Sequence, residues 1–391
     1  MQCSCFRLST FAVASLVVAG AAGYMFSSRV QAAQQGRGKA ALIQGFAKGT
    51  WDHKAIGPLA IAPGGVLFFA DDQAGAIYGV DLMETRSQAT EFKPNAELGA
   101  TIAAKMGTTP AGIQIKDTAF SNFSKSLYLS VRKTDGADQN PANPAIYALF
   151  RADADGKVSQ VDLSDKSFGK VTISALPRFG RRNTPDTRVI GDIAFARGRI
   201  LVSALATDQF NSNLVSVPVP FNQAGVERYA TSIFHVSHKK METASPIQTL
   251  TVYRDADKEY LIAAYVCTPI VRFNLDELKA GQPVTGTTVA ELGSGNQPMQ
   301  MIAYGRAGEQ SLLLNNSSFG ILKVDGKIAK ETQNVNEKTT ADRGNGGKTP
   351  FAGIETVENL KGATGYAAYG TTLLVVKPSG SGIALETMPT P

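Results

Sequence analysis

The chain has 391 residues, of which 43% are hydrophobic and 18% are charged. This composition supplies enough apolar side chains for a large core and too little charge for a disordered chain. The 39 Lys and Arg residues against 33 Asp and Glu residues give a net charge of +6, and no run of basic residues resembles a nucleic-acid tail. We therefore expect a folded protein that has no nucleic-acid partner.

The first 32 residues have the pattern of a signal peptide. Arg7 precedes an apolar run from Phe11 to Phe26, and Val30-Gln31-Ala32 fits a signal-peptidase site. We expect one domain over residues 33–391, a periplasmic or secreted location, and no membrane span after cleavage; an uncleaved anchor is the alternative. Cys267 is the one cysteine that follows this segment, so it is expected to be a small buried side chain without a disulfide partner.

Short β-type runs separated by turn residues recur six times after the signal peptide. In the clearest unit, Gly57–Ala62, Val66–Ala70 and Ala76–Leu82 are predicted strands, and a looser fourth strand is predicted near Ala100–Lys105. The first strands of the six units begin near residues 57, 112, 190, 247, 298 and 365. This spacing fits four strands plus loops, so the sequence predicts an all-β, six-bladed β-propeller of four-stranded blades.

The sixth unit, Gly365–Leu385, has no room for a fourth strand before the chain ends at Pro391. The segment Ala41–Phe46 has the character of that missing strand. We therefore predict that the mature N-terminal strand pairs in the last blade and closes the ring, because closure removes unpaired edges. Two β-sandwiches are the alternative architecture, but they predict a linker near the middle of the chain, and none is evident.

The first unit carries a family resemblance. Leu-Ala-Ile-Ala-Pro-Gly-Gly-Val-Leu-Phe-Phe-Ala-Asp (residues 59–71), followed by Ala-Ile-Tyr-Gly-Val-Asp-Leu (76–82), resembles one NHL repeat and the blades of gluconolactonase and senescence-marker-protein propellers. The match is good over this blade alone, and it implies a six-bladed propeller. For the lactonase group it also implies a calcium ion in the channel. Gly57 and Pro58 stand where that group carries a metal-binding Glu.

In a propeller, the loops between second and third strands and those between blades lie on one face and form a central funnel. Polar donors at these positions predict an exported, non-enzymatic, monomeric protein that binds a small polar or anionic ligand or a protein partner, without a cofactor. The residues assigned to this binding role are Arg132, Arg188, Asn315, Asn316 and Lys377.

Two enzymatic alternatives stay open. The first is a calcium-dependent, lactonase-like hydrolase, in which the cation polarises an ester carbonyl and His53 acts as general base. Its metal ligands would be Asp71, Asp192, Asn296 and Asn315. The second is a quinone-cofactor dehydrogenase, with which a basic funnel is compatible.

The histidines other than His53 do not predict a metal site. His235 and His238 are three residues apart on a predicted strand, so their side chains are expected to point to opposite faces.

Overall fold

The computed structural model describes residues 38–135, 145–179, 188–206, 212–266, 269–292, 296–335, 353–380 and 382–391. The predicted signal peptide and Cys267 lie outside these ranges. Most of the described chain is β-strand. No helix in this part of the chain is long and apolar enough to cross a membrane.

The helices are short and few in the described ranges, and the strands follow one another in antiparallel meanders. The helices are α1 (Lys39–Leu42), α2 (Leu98–Met106) and α3 (Gly326–Ala329). The strands are β1 (Leu59–Ala62), β2 (Val66–Asp71), β3 (Ala76–Asp81), β4 (Ile113–Ser121), β5 (Ser126–Lys133), β6 (Tyr147–Ala152), β7 (Val158–Gln160), β8 (Ser167–Thr172), β9 (Ile190–Ala196), β10 (Arg199–Leu205), β11 (Ser212–Pro218), β12 (Glu227–His235), β13 (Lys240–Glu242), β14 (Ile247–Asp255), β15 (Lys258–Tyr265), β16 (Pro269–Asn274), β17 (Val284–Glu291), β18 (Pro298–Tyr304), β19 (Ser311–Asn316), β20 (Gly320–Val324), β21 (Ile354–Thr356), β22 (Gly365–Tyr369), β23 (Thr372–Ser379) and β24 (Gly382–Pro389).

Three of the sheets are four-stranded, with the orders β1-β2-β3-β8, β4-β5-β6-β7 and β18-β19-β20-β21. A fourth sheet has the order β22-β23-β24. The meanders β9–β12 and β14–β17 are joined into one larger sheet, because their outer strands β12 and β17 pair in parallel. The expectation of repeated four-stranded β units is therefore confirmed.

The first two meanders are nested in the sequence. Strand β8 pairs with β3, although the whole second meander lies between them in the chain. The prediction that Ala100–Lys105 supplies this outer strand was wrong, because the segment belongs to helix α2. Leu98, Ile102 and Ala103 form the buried side of this helix, which packs against β24.

The predicted pairing of Ala41–Phe46 in the last sheet was also wrong. The start of this segment forms helix α1, and Ala47, just beyond its end, pairs with Phe168 of β8 in the first sheet. Phe46 packs on the first sheet because Gly79 and Gly169 have no side chains there. Cβ atoms at these two positions would lie only 2.5 and 2.6 Å from the Phe46 ring. The edge strand β24 pairs instead with Asn95, through hydrogen bonds of 2.8 Å in both directions between Asn95 and Leu385.

We call the first strand of each meander an inner strand. The inner strands contact one another in a cycle, in the order β1, β9, β14, β18, β22, β4 and back to β1. Six hydrophobic clusters lie between successive meanders in this order. We call the region between these inner strands the channel.

Candidate functional site

Two acidic residues on inner strands accept hydrogen bonds from other inner strands. Asp117 of β4 accepts a hydrogen bond from the Leu59 backbone N–H (2.8 Å) on Oδ2 and one from Gln300 Nε2 (2.9 Å) on Oδ1. Gln300 belongs to β18, so this contact joins the second meander to the fifth. The same Nε2 also donates to Thr118 Oγ1 at 3.2 Å, whereas Gln300 Oε1 is buried with no hydrogen-bond partner among the described residues.

Asp192 of β9 holds the neighbouring inner strand in a similar way. Its Oδ2 accepts hydrogen bonds from Thr249 Oγ1 (2.7 Å) and from the Leu250 backbone N–H (2.9 Å). Its Oδ1 accepts from the Ile193 N–H at 2.8 Å. Both aspartates are half-buried.

The two carboxyl groups resist ionisation. Burial, followed by the negative charge of Asp192, raises the pKa of Asp117 to about 7. Burial also raises the pKa of Asp192 to about 6, although hydrogen bonds from Thr249 and Leu250 and the charge of Arg188 oppose the rise. Because burial disfavours both charges and Asp192 further disfavours that of Asp117, the pair holds part of a proton near neutral pH. Perturbed acids of this kind are concentrated at functional sites.

A repeated irregularity places these polar side chains. The inner strands β4, β9, β14 and β18 are each involved in a register shift near their start, typical of a β-bulge. Asp117, Asp192, Thr249 and Gln300 lie at or just after the shift. Bulges re-aim side chains, and they are frequent beside active sites. Asp117 and Gln300 were missed by sequence reasoning, although both occupy the position in their units that Asp192 occupies in the third.

Two residues predicted for separate roles come together here. Arg188, assigned to anion binding, lies close enough for its charge to lower the pKa of Asp192, which was assigned to a metal. Arg188 Nη2 also donates to Gln248 Oε1 at 3.4 Å, and its guanidinium lies over the Phe179 ring.

The other predicted cations do not join them. Lys377 Nζ forms an ion pair of 2.7 Å with Glu386 Oε2 on the outer strand of its own sheet. Arg132 lies opposite Gln114 and Tyr147 in the second meander, where its charge partly opposes the raised pKa of Tyr147 caused by burial and Asp72. The described contacts therefore do not bring Arg132, Arg188 and Lys377 to one ligand.

The predicted ligands with amide side chains lie just before β18 and at the end of β19, in the fifth meander. Asn316 Nδ2 donates to Asn296 Oδ1 at 2.6 Å, and Asn316 Oδ1 accepts from the Ser318 N–H at 3.0 Å. Asn315 is separate, with Nδ2 3.5 Å from the Ala363 carbonyl. These bonds hold loops, and none of them links Asn296 or Asn315 to Asp192.

Asp71 and His53 lie together in the first meander. Asp71 Oδ2 accepts from the Lys54 N–H at 2.6 Å, and Oδ1 accepts from the turn N–H of Ala74 at 2.9 Å, so both oxygens stabilise local backbone. His53 packs edge-on against Trp51, Phe69 and Tyr78. Burial lowers the pKa of His53, although the charges of Asp71 and Asp52 oppose this.

The expectation that His235 and His238 point apart was wrong. Strand β12 ends at His235, and the one-turn 3₁₀ helix Val236–His238 brings the second imidazole back, so that the ring centroids are 4.2 Å apart. The alternation of side chains along a strand does not extend into a turn. Both rings contact Glu242.

A surface depression of about 460 Å³ lies elsewhere, where β23 begins and β24 ends. Thr371, Thr387 and Met388 are among its lining residues, and none of the lining side chains is titratable. It offers no group for acid–base or metal chemistry.

No protein-family model matches the chain, and no curated protein matches it. Several solved structures align with most of the chain at low identity. The PQQ-bound aldose sugar dehydrogenase from Streptomyces coelicolor is 14% identical, with a TM-score of 0.32 over 88% of this chain and 96% of that one. Virginiamycin B lyase from Staphylococcus aureus is 9% identical, with a TM-score of 0.33 over 87% of this chain and 97% of that one.

The Dos1 propeller is 10% identical, with a TM-score of 0.32 over 85% of this chain and 66% of that one. Because these TM-scores are below 0.5, no argument is taken from these likenesses.

Proposed function

We propose that the protein is a six-bladed propeller that binds a small, positively charged ligand in its channel, between Asp117 and Asp192. The observation that carries this proposal is the half-buried carboxyl pair, in which burial raises both pKa values and the charge of Asp192 adds to the rise at Asp117. The binding role and the central position of the site are the same as those predicted from the sequence. The proposed ligand is cationic, where the sequence predicted a polar or anionic one, because the carboxyl groups of Asp117 and Asp192 lie close enough to interact.

The closed ring is supported by the contacts of the inner strands. Each inner strand contacts two others, and the six hydrophobic clusters follow the same cyclic order. In this proposal the connection between β3 and β4 closes the ring, since it supplies both Asn95 and helix α2 to the edge of the last sheet. Closure protects the free edge of β24.

A cation would relieve the carboxyl pair. Two carboxylates in an enclosed site cannot both ionise cheaply without a counter-charge, so a proton is retained. A ligand with positive charge replaces this proton and lets both groups ionise. Gln300 Oε1, a buried acceptor without a hydrogen-bond partner among the described residues, supplies a further oxygen for an ammonium group or a metal cation.

We further propose that the protein acts as an exported monomer, either periplasmic or secreted. This part of the proposal depends on the signal-peptide pattern in residues 1–32.

Calorimetric titration of the full chain with calcium chloride and, separately, with putrescine tests the binding proposal and distinguishes an inorganic from an organic cation. We expect one of the two probes to bind at 1:1 stoichiometry and to release protons near pH 6.5. Asp117→Asn should weaken binding at least about tenfold, since a buried charge pair is lost. Lys377→Ala is the matched control, and it should bind as the wild type does. The proposal is wrong if neither probe binds, or if Asp117→Asn binds equally well.

A further inference from the structure

A cluster of nitrogen and oxygen ligands lies on an outer strand, away from the inner strands that form the channel. His235, His238 and Glu242 each offer one ligand atom, and these atoms all lie within 4.8 Å of one another. Glu242 bridges the two rings, with Oε2 2.7 Å from His235 Nδ1 and Oε1 2.6 Å from His238 Nδ1.

The backbone fixes this cluster. His235 ends β12, Lys239 has a left-handed φ of 57°, and β13 then pairs back on β12 with Glu242 opposite Ile233. His235 is 1% exposed, whereas the His238 side chain is 52% exposed. One ligand is therefore held rigidly in the protein, and another can turn towards an incoming ion.

The other ring nitrogen of His235, Nε2, faces a second carboxylate. His235 Nε2 is buried without a hydrogen-bond partner among the described residues, and it faces Glu291 Oε1 at 3.5 Å. Glu291 is itself 3% exposed, and its Oε2 accepts from the Val236 N–H at 2.7 Å. If the proton of a neutral His235 sits on Nδ1, facing Glu242, a bare Nε2 lone pair faces a carboxylate.

A metal ion bound to His235 Nδ1 would remove the repulsion between the Nε2 lone pair and the Glu291 carboxylate. The ring then carries its proton on Nε2 and directs it at Glu291, which is the usual arrangement of a carboxylate, a histidine and a metal. We propose that His235, His238 and Glu242 bind one divalent transition-metal ion of the zinc type, with Glu291 as the positioning residue for His235. Imidazole and carboxylate ligands suit zinc, and three protein ligands leave a fourth position open for water.

The nearby cation does not block this site. Lys240 Nζ lies 3.4 Å from Glu242 Oε1, but its side chain is 64% exposed and can turn into water. Removal of this charge is therefore expected to leave metal binding unchanged or to strengthen it.

The test is a calorimetric titration of the chelator-treated full chain with zinc chloride, paired with the absorbance spectrum of the cobalt(II) form. We expect one zinc ion per chain and a cobalt d–d band without a thiolate charge-transfer band, which excludes cysteine ligands. His238→Ala, at a half-exposed position that the fold tolerates, should weaken zinc binding at least about tenfold and change the cobalt spectrum. Glu291→Gln, which keeps an acceptor for Val236, should weaken it about 10- to 100-fold. Lys240→Ala is the control.

Two results would overturn the proposal. In one, the chelator-treated chain does not bind zinc. In the other, His238→Ala binds zinc as tightly as the wild type does. Neither result bears on the channel, since the carboxyl pair of the proposed function lies on other strands and is probed with other cations.

Discussion

Gly79 and Gly169 lie directly opposite each other on β3 and β8, and the Phe46 ring occupies the space that their missing side chains leave. Phe46 also packs against Phe221, with ring centroids 5.8 Å apart. The N-terminal segment is therefore held on the first sheet by shape as well as by the backbone pairing of Ala47 with Phe168.

Gly169→Ala is expected to destabilise the protein by about 1–3 kcal/mol, because the added Cβ would lie 2.6 Å from Phe46 and 2.9 Å from Phe221. Chemical denaturation measures this free energy of unfolding. Gly38→Ala is the control, since no atom lies within 4 Å of the added group, and its effect should be near zero. In the background of Phe46→Ala the cost of Gly169→Ala should fall, as a double-mutant cycle would show. Equal costs in both backgrounds would contradict the docking of Phe46 in this space.

Asn95→Pro tests the pairing that we assign to ring closure. Proline removes the N–H that donates to the Leu385 carbonyl at 2.8 Å, so we expect a loss of about 1–3 kcal/mol in the free energy of unfolding. Asn95→Ala keeps this backbone bond and loses both side-chain bonds, to the Gly156 carbonyl and from the Glu97 N–H, so it separates the backbone contribution from that of the side chain. If proline costs no more than alanine, the pairing of Asn95 with β24 does not stabilise the ring.

Asp117→Asn should change the pH dependence of stability. The folded-state pKa of Asp117 is raised from 3.8 to about 7, so the folded protein holds this proton more tightly than the unfolded chain does. Wild-type stability should therefore fall as the pH rises from about 4 to about 7, since the folded state must give up a proton that it favours. Asparagine cannot ionise, so the variant should lack this fall.

The size of the effect follows from about 1.4 kcal/mol per unit of pKa difference. Between pH 5 and pH 8 we expect the variant to gain about 1–3 kcal/mol relative to the wild type, as measured by denaturant titration at each pH. The variant can keep a hydrogen bond to Gln300, because a half-turn of the Gln300 amide lets Gln300 Oε1 accept from the new Asn side-chain N–H. Asp155→Asn, at an exposed carboxylate, is the control and should run parallel to the wild type. Parallel curves for Asp117→Asn would show that Asp117 ionises normally.

The sequence predicted the repeated β units because buried apolar strands such as Val66–Asp71 are bounded by clear turn residues. It did not predict that β8 completes the first sheet, since pairing across an intervening meander leaves no local pattern. Helix α2 did leave a signal. Leu98 and Ile102 are four residues apart and lie on one buried face, which is the spacing of a helix and not of a strand.

Two residues of the candidate site were named from the sequence, for different roles. Asp192 and Arg188 were singled out for chemistry, and they do lie near each other. The position of Lys377 and Asp71 in predicted loops did not indicate their contacts. Lys377 pairs with Glu386, and Asp71 accepts a hydrogen bond from the Ala74 N–H. Asp117 and Gln300 lie within strands, where a bulge directs them inward, and a bulge depends on pairing that one strand's sequence does not reveal.

The proposed ligand site depends on the carboxyl pair of Asp117 and Asp192. Carbon-13 NMR of the aspartate carboxyl groups across a pH titration measures the pKa values of this pair. Assignment comes from Asp117→Asn and Asp192→Asn. We predict that the Asp117 resonance titrates near pH 7 in the free protein, and that the calcium or putrescine probe that binds moves its midpoint to lower pH. A midpoint near the ordinary value of 3.8, unmoved by either probe, would contradict both the buried carboxyl pair and its proposed ligand.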